Sequence, residues 1–83
     1  MQYIETQLTF SPAIPENRET LAALLAEIGY DSFMDTPTGL SAYIPADAFS
    51  SEATEAAIEP VRPLFEQLTV ESKLQVRLLI PQS

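Results

Sequence analysis

The chain is 83 residues long, with twelve acidic against four basic side chains, a formal charge of −8 and 46% hydrophobic content. That is one domain, too apolar for disorder, with no apolar run near the roughly 20 residues that span a bilayer and no signal-peptide pattern at Met1-Gln2-Tyr3. With no cysteine and no histidine, disulfides, thiolate nucleophiles, zinc–cysteine sites and the commonest general base are excluded.

The lack of cysteine fits a cytoplasmic protein. The charge disfavours phosphate backbones, so nucleic acid is not an expected partner; it either draws in a basic protein or maintains solubility.

In chain order, Gln2–Phe10 alternates. Ile4, Thr6, Leu8 and Phe10 point one way and Tyr3, Glu5, Gln7 and Thr9 the other, as in a half-buried strand. The prolines of Ser11-Pro12-Ala13-Ile14-Pro15 break that ladder, and Pro15 opens a helix predicted over Pro15–Ile28. Glu16 and Glu19 lie near the positive end of its dipole. Leu21, Leu24, Leu25 and Ile28 recur at i, i+3, i+4 and i+7, one buried face, and Gly29 supplies the left-handed stop. Tyr30–Asp35 and Leu40–Ile44 then read as a hairpin around Thr36-Pro37-Thr38-Gly39, whose proline and permissive glycine suit a turn.

Pro45 ends the third strand. Within Asp47-Ala48-Phe49-Ser50-Ser51 the preferred helix cap is Ser51, followed by Thr54 and Glu55, with Ser50 fitting less well. A stripe of Ala53, Ala57, Val61, Leu64 and Leu68 predicts a second helix, kinked or broken near Glu59–Pro63 by Pro60 and Pro63. Glu59, Arg62 and Glu66 share an exposed face. The last predicted strand is Lys73–Ile80, with Leu74, Val76, Leu78 and Ile80 inward and Lys73, Gln75 and Arg77 outward. Pro81-Gln82-Ser83 reads as the start of a linker.

Strand, helix, strand, strand, helix, strand describes an α+β, ferredoxin-like βαββαβ two-layer sandwich with a four-stranded antiparallel sheet. By analogy with that fold both helices cover one face, strands one and three are central, and Tyr3, Glu5, Gln7, Ser41 and Tyr43 share the open face.

Little in the chain points to catalysis. Gly29 and Gly39 are its only glycines, so no Gly-rich phosphate loop exists. Glu52, Glu55 and Glu59 can offer oxygens to a hard cation, but without an oxygen-rich loop they read as a solvated helix face. Asp31 and Asp35 flank a strand and read as water-facing acids that discourage edge pairing. No catalytic, cofactor-binding or metal-binding residue is therefore expected. The protein-binding candidates are Tyr3, Glu5, Gln7, Tyr43 and Arg77. The two tyrosines either anchor a partner or cover the sheet, and Arg77 either meets a partner or pairs with Glu5 across strands.

Residues Thr20–Pro45 resemble the amino-terminal substrate-recognition domain of the PrmA family, the methyltransferases that modify ribosomal protein L11. The resemblance lies in Glu27-Ile28-Gly29-Tyr30 closing a leucine-rich helix, in Asp31-Ser32-Phe33, and in Gly39-Leu40-Ser41-Ala42-Tyr43-Ile44-Pro45. Tyr3-Ile4-Glu5 and Phe10-Ser11-Pro12 are also similar to the family's first strand and its exit. The likeness is best over Met1–Ile58 and fades through Glu59–Ser83. The family's tryptophan-containing segment after the last strand has no counterpart here, since the chain lacks tryptophan.

The resemblance implies a non-catalytic recognition domain over residues 1–80, a linker starting at 81–83, and a parent enzyme that uses S-adenosylmethionine. It implies a basic ribosomal protein of the large subunit as partner; the acidic charge and the lack of a spanning apolar run give no expectation of direct nucleic-acid or membrane binding. An excised domain is favoured over a freestanding relative. The alternative is a freestanding ferredoxin-like interaction or small-molecule-binding regulatory module, self-associating through the open sheet face. A regulatory module of the ACT type would carry a glycine-bearing turn between the first strand and helix, which Ser11–Pro15 lacks.

Overall fold

Alternation, proline breaks and one glycine stop lay out the elements of the computed structural model, which describes residues 2–76. They are β1 (Gln2–Ser11), α1 (Pro15–Ala26), β2 (Ser32–Thr36), β3 (Gly39–Pro45), α2 (Ser51–Ile58) and β4 (Gln67–Val76). Short 3-10 turns at Ala46–Ala48 and Glu59–Leu64 flank α2. Among the described residues the strands form one antiparallel sheet in the order β2-β3-β1-β4, so β1 and β3 are central. This is the ferredoxin-like α+β arrangement expected. Arg77 to Ser83, including the inward Leu78 and Ile80 and the linker-like end, lie outside the described residues, as does the side chain of Val76.

The helices pack on the face that carries Leu8, Phe10, Leu40, Ala42 and Ile44, and Leu21, Leu25 and Ile58 fill the layer between. Leu21 and Leu25 are fully buried, each contributing about 1.5–3 kcal/mol of transfer free energy. Phe65 meets Phe10 edge-on, with ring centroids 5.4 Å apart.

α1 ends two residues before the predicted Ile28. The Gly29 N–H reaches the Ala26 carbonyl and the Tyr30 N–H reaches back to Leu25, the bond pair of a Schellman motif, with Gly29 at φ +111°. That corner turns Tyr30 inward, so the predicted strand at Tyr30 begins at Ser32 instead. Gly39 has a different reason to be glycine from the turn freedom expected of it. It stands across from Thr9 in the register, and a Cβ there would run into the Leu8 carbonyl.

Three further expectations need correction. Ser50, not Ser51, caps α2: its Oγ accepts the Ala53 N–H at 3.1 Å. Past Ile58 the prolines convert the chain to a 3-10 turn, so Leu68 belongs to β4 and not to a helical stripe. β4 accordingly starts at Gln67, six residues earlier than Lys73. Leu74 does lie on the helix side, opposite Ile4, yet it is 50% exposed.

A run of hydroxyls crosses the core. Ser72 Oγ lies 2.8 Å from Thr6 Oγ1, Thr6 Oγ1 lies 2.8 Å from the Tyr30 hydroxyl, and that hydroxyl lies 3.0 Å from Thr54 Oγ1. Thr54 donates its only hydroxyl proton to the Ser50 carbonyl at 3.0 Å. Each hydroxyl has one proton, so every step has one direction: Tyr30 donates to Thr54, Thr6 to Tyr30, and Ser72 to Thr6. Thr6 and Thr54 are thereby satisfied although almost wholly buried, and no buried side-chain polar atom among the described residues lacks a partner.

Candidate protein-binding face

On the face of the sheet away from the helices, the register places Tyr43 beside Glu5 and Ser41 beside Gln7. β4 adds Gln75 beside Tyr3, Lys73 beside Glu5 and Glu71 beside Gln7. β2 adds Met34 beside Ser41 and Ser32 beside Tyr43. Tyr3, Glu5, Gln7, Ser41 and Tyr43 thus share one face, as expected.

Glu5 organises its centre. One carboxylate oxygen accepts from Gln7 Nε2 and from the Tyr43 hydroxyl, both at 3.3 Å, and the other accepts from Gln75 Nε2 at 2.9 Å. All three donors are neutral. Lys73 stands directly across from Glu5 without closing an ion pair among the described residues. A carboxylate offers about four lone-pair positions, so Glu5 is held in place with room for one further donor. It is half-buried, which strengthens its attraction for a cation relative to a fully solvated acid. Such a group can accept and orient a donor.

At the end of the face, Tyr3 donates to Asp31 at 3.4 Å. The sequence reads Asp31 as a water-facing acid and Gln75 only as outward; the folded chain brings them to Tyr3 and Glu5. Arg77, the remaining candidate, lies outside the described residues.

The other carboxylates do not assemble into a site. Asp31 accepts from Tyr3 and Ser32, whereas Asp35 lies 4.0 Å from Arg18, so the pair do not share a ligand position. Glu55 and Glu59 both pair with Arg62, at 3.2 and 3.5 Å. Glu66, expected beside Arg62, makes no such pair among the described residues. No cluster of metal-ligating side chains occurs among the described residues, and no helix there is long and apolar enough to cross a membrane.

Neither a family model nor a solved structure matches the chain. Curated relatives do. A ribosomal protein L11 methyltransferase of Phocaeicola vulgatus is 33% identical over 58 residues, 70% of this chain and 21% of that protein. Its counterpart in Bacteroides fragilis is 36% identical over 63 residues, 74% of this chain and 22% of that protein. The chain therefore spans about a fifth of the length of the curated relatives it matches. Over that stretch, it is related to the ribosomal protein L11 methyltransferases.

Proposed function

We propose that this chain is the substrate-recognition part of a ribosomal protein methyltransferase, itself non-catalytic, and that it holds a basic ribosomal protein of the large subunit. Residues 1–80 form the recognition unit, and methyl transfer from S-adenosylmethionine belongs to another part of the parent enzyme. The observation that carries this reading is the fixed Glu5 carboxylate on the sheet face away from the helices, flanked by Tyr3, Gln7 and Tyr43. The tyrosines supply contact area at low conformational cost and Glu5 supplies a positioned acceptor for lysine or arginine. Similarity to methyltransferases that are named for a ribosomal protein supports the choice of partner.

Titrating ribosomal protein L11 against variants tests it, once circular dichroism establishes that each is folded. Glu5→Lys is expected to weaken binding by about 0.5–2 kcal/mol and Tyr43→Ala by about 2 kcal/mol, whereas Glu52→Lys on α2 changes it little. A loss confined to the α2 variant would place the partner on the helical side and sink the open-face assignment. Equal small losses everywhere would mean diffuse charge attraction without a site.

A further inference from the structure

Among the described residues no strand lies beyond β2 or beyond β4, and the two edges differ in what they offer a neighbour. β2 contains Asp35 with Asp31 beside it, acids that discourage pairing. β4 instead carries one acid and one base at matched places, Glu71 and Lys73 on either side of Ser72. Both stand on the sheet face away from the helices, opposite Gln7 and Glu5, and neither closes an ion pair among the described residues.

The backbone of β4 is free over the same stretch. Phe10 donates its N–H to the Thr38 carbonyl on the β3 side, while the Ser11 carbonyl accepts from Glu66 on the β4 side, so successive residues of β1 serve opposite neighbours. Glu5, Gln7 and Thr9 therefore turn their backbone groups to β4, and their partners Lys73, Glu71 and Thr69 turn back to β1. Val70, Ser72 and Leu74 are left with N–H and C=O directed away from the sheet. At Leu68 the outward carbonyl already accepts from Arg62 Nη1 at 3.3 Å, which bounds the free run at Val70. The free backbone groups and the two charges are thus both symmetric about Ser72.

We propose that β4 is the pairing edge for a second copy of this chain, joined antiparallel about a two-fold axis at Ser72. In that register Glu71 of each copy stands opposite Lys73 of the other, on the same face, in the closely spaced positions between backbone bonds. On the helix side Val70 stands opposite Leu74, which covers a leucine that the single chain leaves 50% exposed. Moving the axis to Glu71 or to Lys73 sets like charges against each other, so the register is selected by charge. Each copy carries −8, a long-range repulsion that disfavours contact elsewhere. With β2 guarded by its acids, pairing closes at two copies instead of extending into a fibre. The contact is short and belongs with small, transient interfaces, below about 1,200 Å². It uses the β4 edge and does not depend on the site proposed at Glu5.

The test is a concentration series of the isotope-labelled chain up to millimolar, read by sedimentation and by amide hydrogen exchange. The mass is expected to rise toward two copies and stop there. The amides of Val70, Ser72 and Leu74 are expected to gain protection, while those of Glu71 and Lys73, already turned to β1, change little. Glu71→Lys and Lys73→Glu, both at exposed positions and checked for folding by circular dichroism, are each expected to associate about tenfold more weakly. Combining the two changes exchanges the ends of each pair and is expected to restore association. Glu71→Lys separates local from overall charge: it makes the chain less negative, and net repulsion alone would have it associate more strongly. A monomer at every concentration, stronger association of Glu71→Lys, or a folded double variant no better than the singles overturns the proposal. So does association that perturbs Glu5 and Tyr43 without protecting Ser72 and Leu74, which would put the second copy on the open face.

Discussion

Tyr30 carries two jobs with one side chain. Its ring is part of the core beside Leu25 and Ile58, while its hydroxyl receives a proton from Thr6 and gives one to Thr54. Tyr30→Phe keeps the ring, leaves the buried Thr6 proton without its acceptor and takes one donor from Thr54, which keeps its own bond to the Ser50 carbonyl. It is expected to lower the unfolding free energy by about 1–3 kcal/mol, measured by urea denaturation with an unchanged slope. Adding Thr6→Val to that variant is expected to cost less than the sum of the two single changes, because the second removes a group the first left unpaired. Strict additivity would mean that the hydroxyls act separately. Gln7, Tyr43 and Gln75 hold the Glu5 carboxylate in place, so a change at any of them is expected to alter what Glu5 offers to the proposed partner.

Among the elements, the two glycines separate two kinds of constraint. Gly29 is required by its backbone conformation at the end of α1, and Gly39 by the closeness of β3 to β1. Gly29→Ala is expected to cost about 1–2 kcal/mol. Gly39→Ala is expected to cost about 3 kcal/mol or more, since the colliding atom is a strand carbonyl that cannot move without opening the sheet. Thermal unfolding of the two variants gives the order; a milder effect at Gly39 would contradict the account of β1–β3 packing. The strand–helix order, the stop at Gly29 and the break at the prolines were legible in the sequence because each is decided within a few residues. The start of β4 was not. Leu68 satisfies both a helical stripe and the alternation Leu68, Val70, and the choice depends on the 3-10 turn ending at Leu64. Ser50 and Ser51 are the same residue type, and what separates them is backbone: Ser50 is extended and its carbonyl also receives Thr54 Oγ1. In the candidate site, alternation put Tyr3, Glu5 and Gln7 on one face, but Gln75 and Asp31 come to it from 70 and 28 residues away in sequence. No local pattern encodes such a meeting.

The charge acts at the scale of the whole molecule. Arg18 and Arg62 are spent on backbone carbonyls and neighbouring acids, so these cations do little to offset the field elsewhere on the surface. With a net −8, encounter with a basic ribosomal protein is expected to be fast at low salt and to slow steeply as ionic strength rises. The dissociation rate is expected to change less, because it depends on contacts already formed. Stopped-flow association at several salt concentrations checks this; a salt-independent association rate would remove charge from the recognition argument.

The hydroxyl chain has a consequence for motion as well as for stability. It ties Ser72 to Thr6, 66 residues away, and Thr6 through Tyr30 to Thr54, in two further steps of 24 residues each. Because its protons run one way, neither β4 nor α2 can lift off without leaving a donor or acceptor dry inside the protein. Opening of the outer strand and opening of the second helix should therefore be the same event. In native-state hydrogen exchange, β4 amides bonded to β1 and the amides of α2 are expected to exchange with one common opening free energy and one common dependence on denaturant. β2, tied to its neighbours by no such buried chain, is expected to exchange through smaller openings of its own. Exchange of β4 ahead of α2 would show that the two layers part independently.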